Sequence, residues 1–252
     1  MVAELRVNRT EHVHLGCSRG MNANLGISFS KTTYFSKETM ASYMRWSADH
    51  FKELLVIVAD HLEAYNVCVF KRLCLHDAFR RTVQKGRELR TGYLRAIPSG
   101  LEGRIRVVLA SQLLEEEGCA ALARRVRAAA MWNKAFSEEL GRSVRLGLDG
   151  KLREAEAQGI EIGPESIRLL SEYLIEEIAI ILYIAHAGAT NYPVLLFPHF
   201  IPPVLDEVYA GKHRTEFADV IRGEPLRCVQ VVRHEQAVPV AGVAPAGAVA
   251  VA

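Results

Sequence analysis

Apolar and polar positions alternate between two periods along the chain. Leu54–Ala59 (LLVIVA) is a short, continuous apolar run, the pattern of a strand covered on both faces of a parallel sheet. Asn22–Ser28 (NANLGIS), Arg104–Leu109 (RIRVVL) and Arg227–Val232 (RCVQVV) are further strand candidates. Residues 36–51, 75–96 and 112–142 lie between or beyond these runs and are long enough to form crossover helices. A turn is expected at Leu148–Lys151, then a loop from Gly159 to Pro164, then a long helix over Glu165–Ala185. Asn191–Pro203 is proline-rich and expected to be extended. The fold class is therefore α/β, a Rossmann-like, mostly parallel sheet sandwiched between helices in a single domain. Residues 1–20 read as a polar, poorly packed lead-in and 21–235 as the folded domain. Residues 236–252 read as a disordered Ala/Val-rich tail.

Composition changes this picture little. Half of the 252 residues are apolar and 24% are charged, which excludes a disordered chain. A domain of this length buries enough surface to need no disulfide or metal staple. The five cysteines contain no C-x-x-C pair and read as reduced thiols of a cytoplasmic protein. The first residues, MVAELRVNRT, have no apolar core of a secretory signal. Ile178–Ala187 is about half of what a bilayer needs, so no membrane partner is expected.

Charge matters through its distribution. The net charge is only +2, yet Lys71, Arg72, Arg80, Arg81, Lys85, Arg87, Arg90 and Arg95 face only Asp77 and Glu88 in one segment. At 100° per residue, Leu75, Phe79, Val83, Leu89, Tyr93 and Leu94 share one arc. Arg80, Arg81, Lys85, Arg87 and Arg95 share the opposite one, and Arg90 falls among the apolar positions. Ordinary solvated faces mix signs through i,i+4 pairs. A nearly all-cationic face suits phosphate, whose condensed counterions the cations displace; a basic face without a partner is the alternative.

A second pattern lies in the helix over 165–185. Glu165, Arg168, Glu172 and Glu176 cluster on a polar arc, whereas Glu177 sits beside Leu170, Tyr173 and Ile181. Tyr173 and Glu177 are i,i+4 and therefore adjoin. A carboxylate in an apolar stripe needs a cation or a raised pKa. That cation is either an internal Arg or His, or one that arrives with a substrate, such as an α-ammonium.

Ser28 follows a strand directly, at the rim where open α/β sheets place their sites. No G-x-S-x-G elbow surrounds it, so a hydrolase triad is a poor fit, and a capping serine is the plain alternative to a nucleophile. Tyr192-Pro193 reads as a rigid turn. His12 and His14 lack a third ligand, so no metal is expected. Walker A and G-x-G-x-x-G patterns are absent, which removes support for ATP or dinucleotide cofactors.

Taken in order, these landmarks resemble the cyclodipeptide synthase family, whose fold is similar to the catalytic domain of class I tyrosyl- and tryptophanyl-tRNA synthetases. Gly26-Ile27-Ser28, followed by Tyr34-Phe35-Ser36, is similar to the family's nucleophile region. Tyr173-Leu-Ile-Glu-Glu177 is similar to its catalytic Tyr-x-x-x-Glu, and Tyr192-Pro193 to the motif of its Tyr-Pro subfamily. The resemblance implies an aminoacyltransferase that uses two aminoacyl-tRNAs sequentially, by a ping-pong mechanism, and makes a diketopiperazine through an aminoacyl-enzyme on Ser28. It gives Tyr173 and Glu177 the aminoacyl ammonium, Tyr192 a proton relay, and Asn24, Gly26, Val58 and Ala110 the first side-chain pocket. Arg80, Arg81, Lys85, Arg87, Arg90 and Arg95 would hold tRNA, with no cofactor and a monomer or weak dimer. Two departures stand out: the loop after Ser28 is one residue longer, and a family aromatic falls on Cys119. Asn24 in that pocket implies a polar first amino acid. The competing readings are a non-catalytic, synthetase-like RNA-binding protein and a small-ester hydrolase.

Overall fold

A computed structural model describes residues 3–7, 20–29, 35–188, 191–197, 202–209, 212, 217 and 227–233. The tail 236–252, the loop 30–34 with Tyr34, and both N-terminal histidines lie outside these residues. Among the described residues six strands form one sheet: β1 (Ala3–Val7), β2 (Asn22–Ile27), β3 (Glu53–Val58), β4 (Ile105–Leu109), β5 (Val194–Phe197) and β6 (Arg227–Arg233). Their spatial order is β1-β6-β5-β2-β3-β4, and only the β1–β6 pair is antiparallel. The lead-in thus contributes an edge strand. β5 lies within the segment expected to be merely extended; four residues are too few for periodicity to separate a buried strand from a turn-rich run.

Helices cover both faces. α1 (Lys37–His50) and α3 (Leu75–Arg95) pack on one, and Ser36 caps α1 by accepting from the Thr39 amide at 3.2 Å. α2 (Glu63–Lys71), α4 (Ala110–Leu114), α5 (Glu117–Trp132), α6 (Lys134–Ala157) and α7 (Pro164–Leu182) build the other side, and α8 (Pro203–Tyr209) packs on α6. Two sequence expectations fail here. Residues 112–142 span parts of three helices rather than one. Leu148–Lys151 is no turn but part of α6, because Asp149 and Gly150 are flanked by good helix formers and the Leu152–Ala155 face is buried.

The sheet's faces are distinct. Ala23, Leu25, Ile27, Leu54, Val56 and Val58 belong to the core under α1 and α3. Leu55, Ile57 and Ala59 belong to the core under α4, α5 and α7, with Ala110, Cys119 and Ile180. α7 is buried on almost every side, since α5 and α6 cover the flank away from the sheet.

The stripe that α3 buries is narrower than its apolar arc: Ala78, Thr82, Gly86 and Tyr93 are buried, while Leu94 is exposed. Close approach explains the shift. A Cβ on Gly86 would lie 2.3 Å from the Asp60 Cβ. Asp60 cannot yield, being fully buried and accepting from the Ser111 amide at 2.9 Å and its hydroxyl at 2.6 Å. Gly86→Ala is therefore expected to destabilise the protein by about 1–3 kcal/mol despite alanine's better helix propensity, as read from urea unfolding midpoints.

Candidate active site

The order of strands locates a crevice. From β2 the chain steps to β3 and β4 on one side, and later to β5 and β6 on the other, so the direction of crossover reverses between β2 and β5. Ligands of open α/β sheets bind at such switch points, beyond the carboxyl ends of the strands. Ser28 follows β2 there, and Phe197 ends β5 there.

Alternation along β2 decides what shares a face with Ser28. Ala23, Leu25 and Ile27 point to the α1/α3 core, so Asn24 and Gly26 point to the α7 side. Gly26 pairs with Ile57 and Asn24 with Leu55 and Leu195. A Cβ on Gly26 would meet nothing within 4 Å among the described residues. Ala110 packs with Ile57 and Cys119 on the same side. Val58 does not. It faces the α1/α3 core, a one-residue register error in the sequence reading, and Ile57 occupies the side assigned to it. The Asn24 amide donates to the carbonyls of Tyr192 at 2.9 Å and Val194 at 3.1 Å, tying β2 to the start of β5. Its buried Oδ1 has no hydrogen-bond partner among the described residues.

Two adjacent acids of α7 have different fates. Glu176, placed by periodicity on the polar arc, is 6% exposed. It accepts from the Tyr65 hydroxyl at 2.8 Å and pairs with Arg127 at 3.4 Å; Arg127 also holds Glu172 at 2.8 Å. The wheel erred because it assumes one wet side, and α7 has almost none. Burial pushes the Glu176 carboxyl up to about 7, against the opposing pull of Tyr65 and Arg127. Glu177, by contrast, has no cation beside it among the described residues. It keeps part of its surface exposed, yet desolvation, and secondly the charge of Glu63, raises it to about 7. Desolvation, then Glu177 and Glu63, also raise Tyr173 well above the usual phenol range.

Glu63 escaped the sequence reading. It opens α2 and is 3% exposed, and its carboxylate accepts from the Phe29 amide at 2.9 Å and from Asn66 at 3.0 Å. It therefore joins the residue after Ser28 to the Tyr173–Glu177 pair. An acid five residues beyond the end of an apolar strand was the available signal, since that is the rim of the sheet.

Tyr192 is elsewhere. Its hydroxyl donates to Glu53 at 3.1 Å and faces Arg106 at 3.5 Å. Glu53 opens β3, whereas Ile27, just before Ser28, pairs with Val58 at the strand's far end. Five residues of strand, about 16 Å, separate the two levels. The proton-relay role for Tyr192 is thereby withdrawn, and the aromatic at the carboxyl end of β5 is Phe197, which has no hydroxyl. Tyr192→Phe is expected to lower stability by about 1 kcal/mol through the lost hydrogen bonds, with any product unchanged in amount. Thermal unfolding and product mass spectrometry read the two effects separately.

On α3, Arg80, Arg81, Lys85, Arg87 and Arg95 are exposed, and Arg80 pairs with Asp77 at 3.0 Å. Arg90 is half-buried, and its Nε donates to the Val107 carbonyl at 2.9 Å, so it fastens α3 to β4. Among the described residues no cluster of three or more His, Cys, Asp or Glu is arranged to hold a metal, and no helix is long and apolar enough to cross a membrane.

Comparison with known proteins adds the decisive observation: residues 6–218 match the family model described as cyclodipeptide synthase. The chain belongs to the cyclodipeptide synthase family. Among solved structures it is similar to a family member from Fluoribacter dumoffii, with a TM-score of 0.69 at 15% identity, covering 91% of this chain and 97% of that one. It is also similar to a Mycobacterium tuberculosis protein described as showing that cyclodipeptide synthetases are related to type I tRNA synthetases. That match has a TM-score of 0.59 at 16% identity, over 85% and 86% of the two chains. A cyclodipeptide synthase from Candidatus Glomeribacter gigasporarum, solved bound to Phe-tRNAPhe, gives 0.57 at 14%, over 92% and 91%. A search of curated proteins finds no match. At these identities the solved structures establish the fold, which places this cyclodipeptide synthase family member on a class I synthetase-like sheet. The family aromatic expected at Cys119 is replaced by a fully buried thiol that desolvation raises to about 12, so this thiol is not an ionised nucleophile.

Proposed function

We propose that the protein makes a cyclic dipeptide from two aminoacyl-tRNAs through an acyl-enzyme on Ser28. The Ser28 hydroxyl attacks the first ester carbonyl; the tRNA ribose oxygen leaves with the proton, and an aminoacyl-serine remains. The ammonium of that aminoacyl group lies against Tyr173 and Glu177. Glu177 takes a proton from it, and the freed amine attacks the ester of the second aminoacyl-tRNA, releasing that tRNA and leaving a dipeptidyl-serine. The terminal amine then attacks the serine ester, which closes the diketopiperazine and restores the hydroxyl. Each acyl group arrives as an activated ester, so no ATP is consumed. A carboxyl with a pKa near 7 suits the exchange, because an α-ammonium also titrates close to that range.

The observation that carries this reading is the contrast within α7. Glu176 has its arginine, and Glu177, beside Tyr173 and Glu63, has none among the described residues. A purely RNA-binding protein has no use for a desolvated acid at the switch point. Asn24, Gly26 and Ala110, joined by Ile57, form the side of the crevice that would take the first side chain, and the orphan Oδ1 of Asn24 favours a side chain that carries a donor. The exposed cations of α3 would take the tRNA backbone. With Tyr192 removed from the crevice, assignment to the Tyr-Pro subfamily loses its residue.

The test is to incubate the protein with each aminoacyl-tRNA in turn and measure its intact mass. A gain equal to one aminoacyl group, lost to hydroxylamine and mapped to the peptide containing Ser28, is expected. Diketopiperazine formation without any such adduct, under conditions that trap acyl-enzymes, overturns the covalent route.

A further inference from the structure

α7 carries two pairs of polar side chains, each spaced i,i+4 and offset from the other by one residue. Glu172 and Glu176 form one pair and Tyr173 and Glu177 the other, so the pairs lie about 100° apart around the helix. The first pair is gripped from outside. Arg127 of α5 spans both of its acids, at 2.8 Å from Glu172 and 3.4 Å from Glu176. Tyr65 of α2 donates its hydroxyl to the same Glu176 oxygen at 2.8 Å. The other Glu176 oxygen is buried and has no hydrogen-bond partner among the described residues, with the His61 Nε2 3.6 Å away. His61 belongs to the turn after β3, and its ring centre lies 4.2 Å from that of Phe79 on α3.

The rest of α7 offers no comparable hold. Apart from Ser171, whose hydroxyl bonds within the helix to the Ile167 carbonyl, its other buried side chains are leucine, isoleucine and alanine. Apolar burial is non-directional, whereas hydrogen bonds weaken steeply as they bend. The grip on Glu172 and Glu176 therefore fixes the angle of the helix about its axis. A carboxyl about 6 Å from that axis moves by about 1 Å for a turn of about 10°. At a reacting group, about 1 Å is worth up to about a hundredfold in rate. Stability is a poor reason for the grip, because burial pushes the Glu176 carboxyl up to about 7 despite its partners. We propose that Glu176 is a positioning residue: tied to Tyr65 and Arg127, it fixes the rotation of α7 and so aims Glu177 at the aminoacyl group on Ser28. The role rests on the function proposed above for Ser28 and Glu177.

The experiment measures kcat and KM for cyclic dipeptide formation by the full chain at pH 8, per folded molecule as read by circular dichroism. Tyr65→Phe/Arg127→Met/Glu176→Leu removes the polar partners together, so the apolar replacements leave no half of the buried pair behind. This variant should unfold at the urea concentration of the wild type or above it. Its kcat should fall by about thirtyfold, with KM for aminoacyl-tRNA within about threefold. Glu176→Gln keeps an acceptor for Tyr65 and Arg127, and its kcat should stay within about threefold of the wild type. Should the triple variant not fold, Tyr65→Phe/Glu176→Leu leaves Arg127 with Glu172 and carries the same test, with an expected loss of about tenfold. A triple variant with wild-type kcat overturns the positioning role and leaves apolar packing to set α7. A raised KM at unchanged kcat overturns it as well, since Glu176 would then serve binding. Glutamine as slow as the triple variant also refutes it, because charge rather than the tie would be at work. A wild type that makes no cyclic dipeptide sinks the function itself, and the positioning role with it.

Discussion

Ser28→Ala is expected to reduce cyclic dipeptide formation by at least about a thousandfold, because it removes the atom that carries the acyl group rather than one that assists it. Phe197 ends the neighbouring strand, and the Tyr192 hydroxyl is turned to Glu53 at the opposite end. The substitution is small and Ser28 is only half-buried, so unfolding should shift by no more than about 1 kcal/mol. Affinity for tRNA should be unchanged, since the α3 cations are untouched. That pairing separates the readings. A catalytically silent RNA-binding protein yields no product with either sequence, and a small-ester hydrolase loses activity on esters but has no preference among RNAs. Mass spectrometry of the culture medium of expressing cells is the direct measurement. Survival of the diketopiperazine in the Ser28→Ala strain, at more than a few per cent of the wild-type yield, rules out the acyl-enzyme.

Ser28, Glu177 and the basic face of α3 were legible in the sequence because each follows from a local rule. An apolar run ending in a serine marks a strand's carboxyl end, and helical periodicity separates one arc from another. Where tertiary contacts decide, those rules fall short. Val58 and Ile57 differ by one position in a strand buried on both faces, so no polar alternation tells which side each takes. Glu176 and Arg90 both occupy positions whose wheel placement says little about their partners, which come from α5 and β4, distant in sequence. Tyr192 was misassigned for a related reason. A tyrosine-proline pair fixes the local backbone, but which end of the sheet it reaches depends on where β5 begins, two residues later.

Glu177→Gln should make the enzyme slower and the fold more stable, a combination that a merely structural residue does not give. Catalysis first: the ionised carboxylate is the form that holds an ammonium and accepts its proton, so wild-type kcat/KM should climb with pH and level off above about 7. Glutamine keeps the shape and loses the charge, so the rising limb should vanish and the plateau fall by about a hundredfold. Stability runs the other way. The folded-state pKa is raised from 4.5, so between pH 4.5 and 7 the native state retains a proton that the unfolded chain has released. Wild-type stability therefore declines as pH rises through that window, whereas the Gln variant has no such proton to lose. By pH 8 the variant should be the more stable by about 1–3 kcal/mol, after allowing for the exposed part of the side chain, and the gap should close below about pH 4.5. Glu176 titrates in the same range but is present in both proteins, so it cancels in the difference. Urea unfolding at pH 4.5, 6 and 8 measures the gap. Two parallel stability curves would mean that Glu177 is already solvated, and a solvated acid gives an incoming ammonium nothing that water does not.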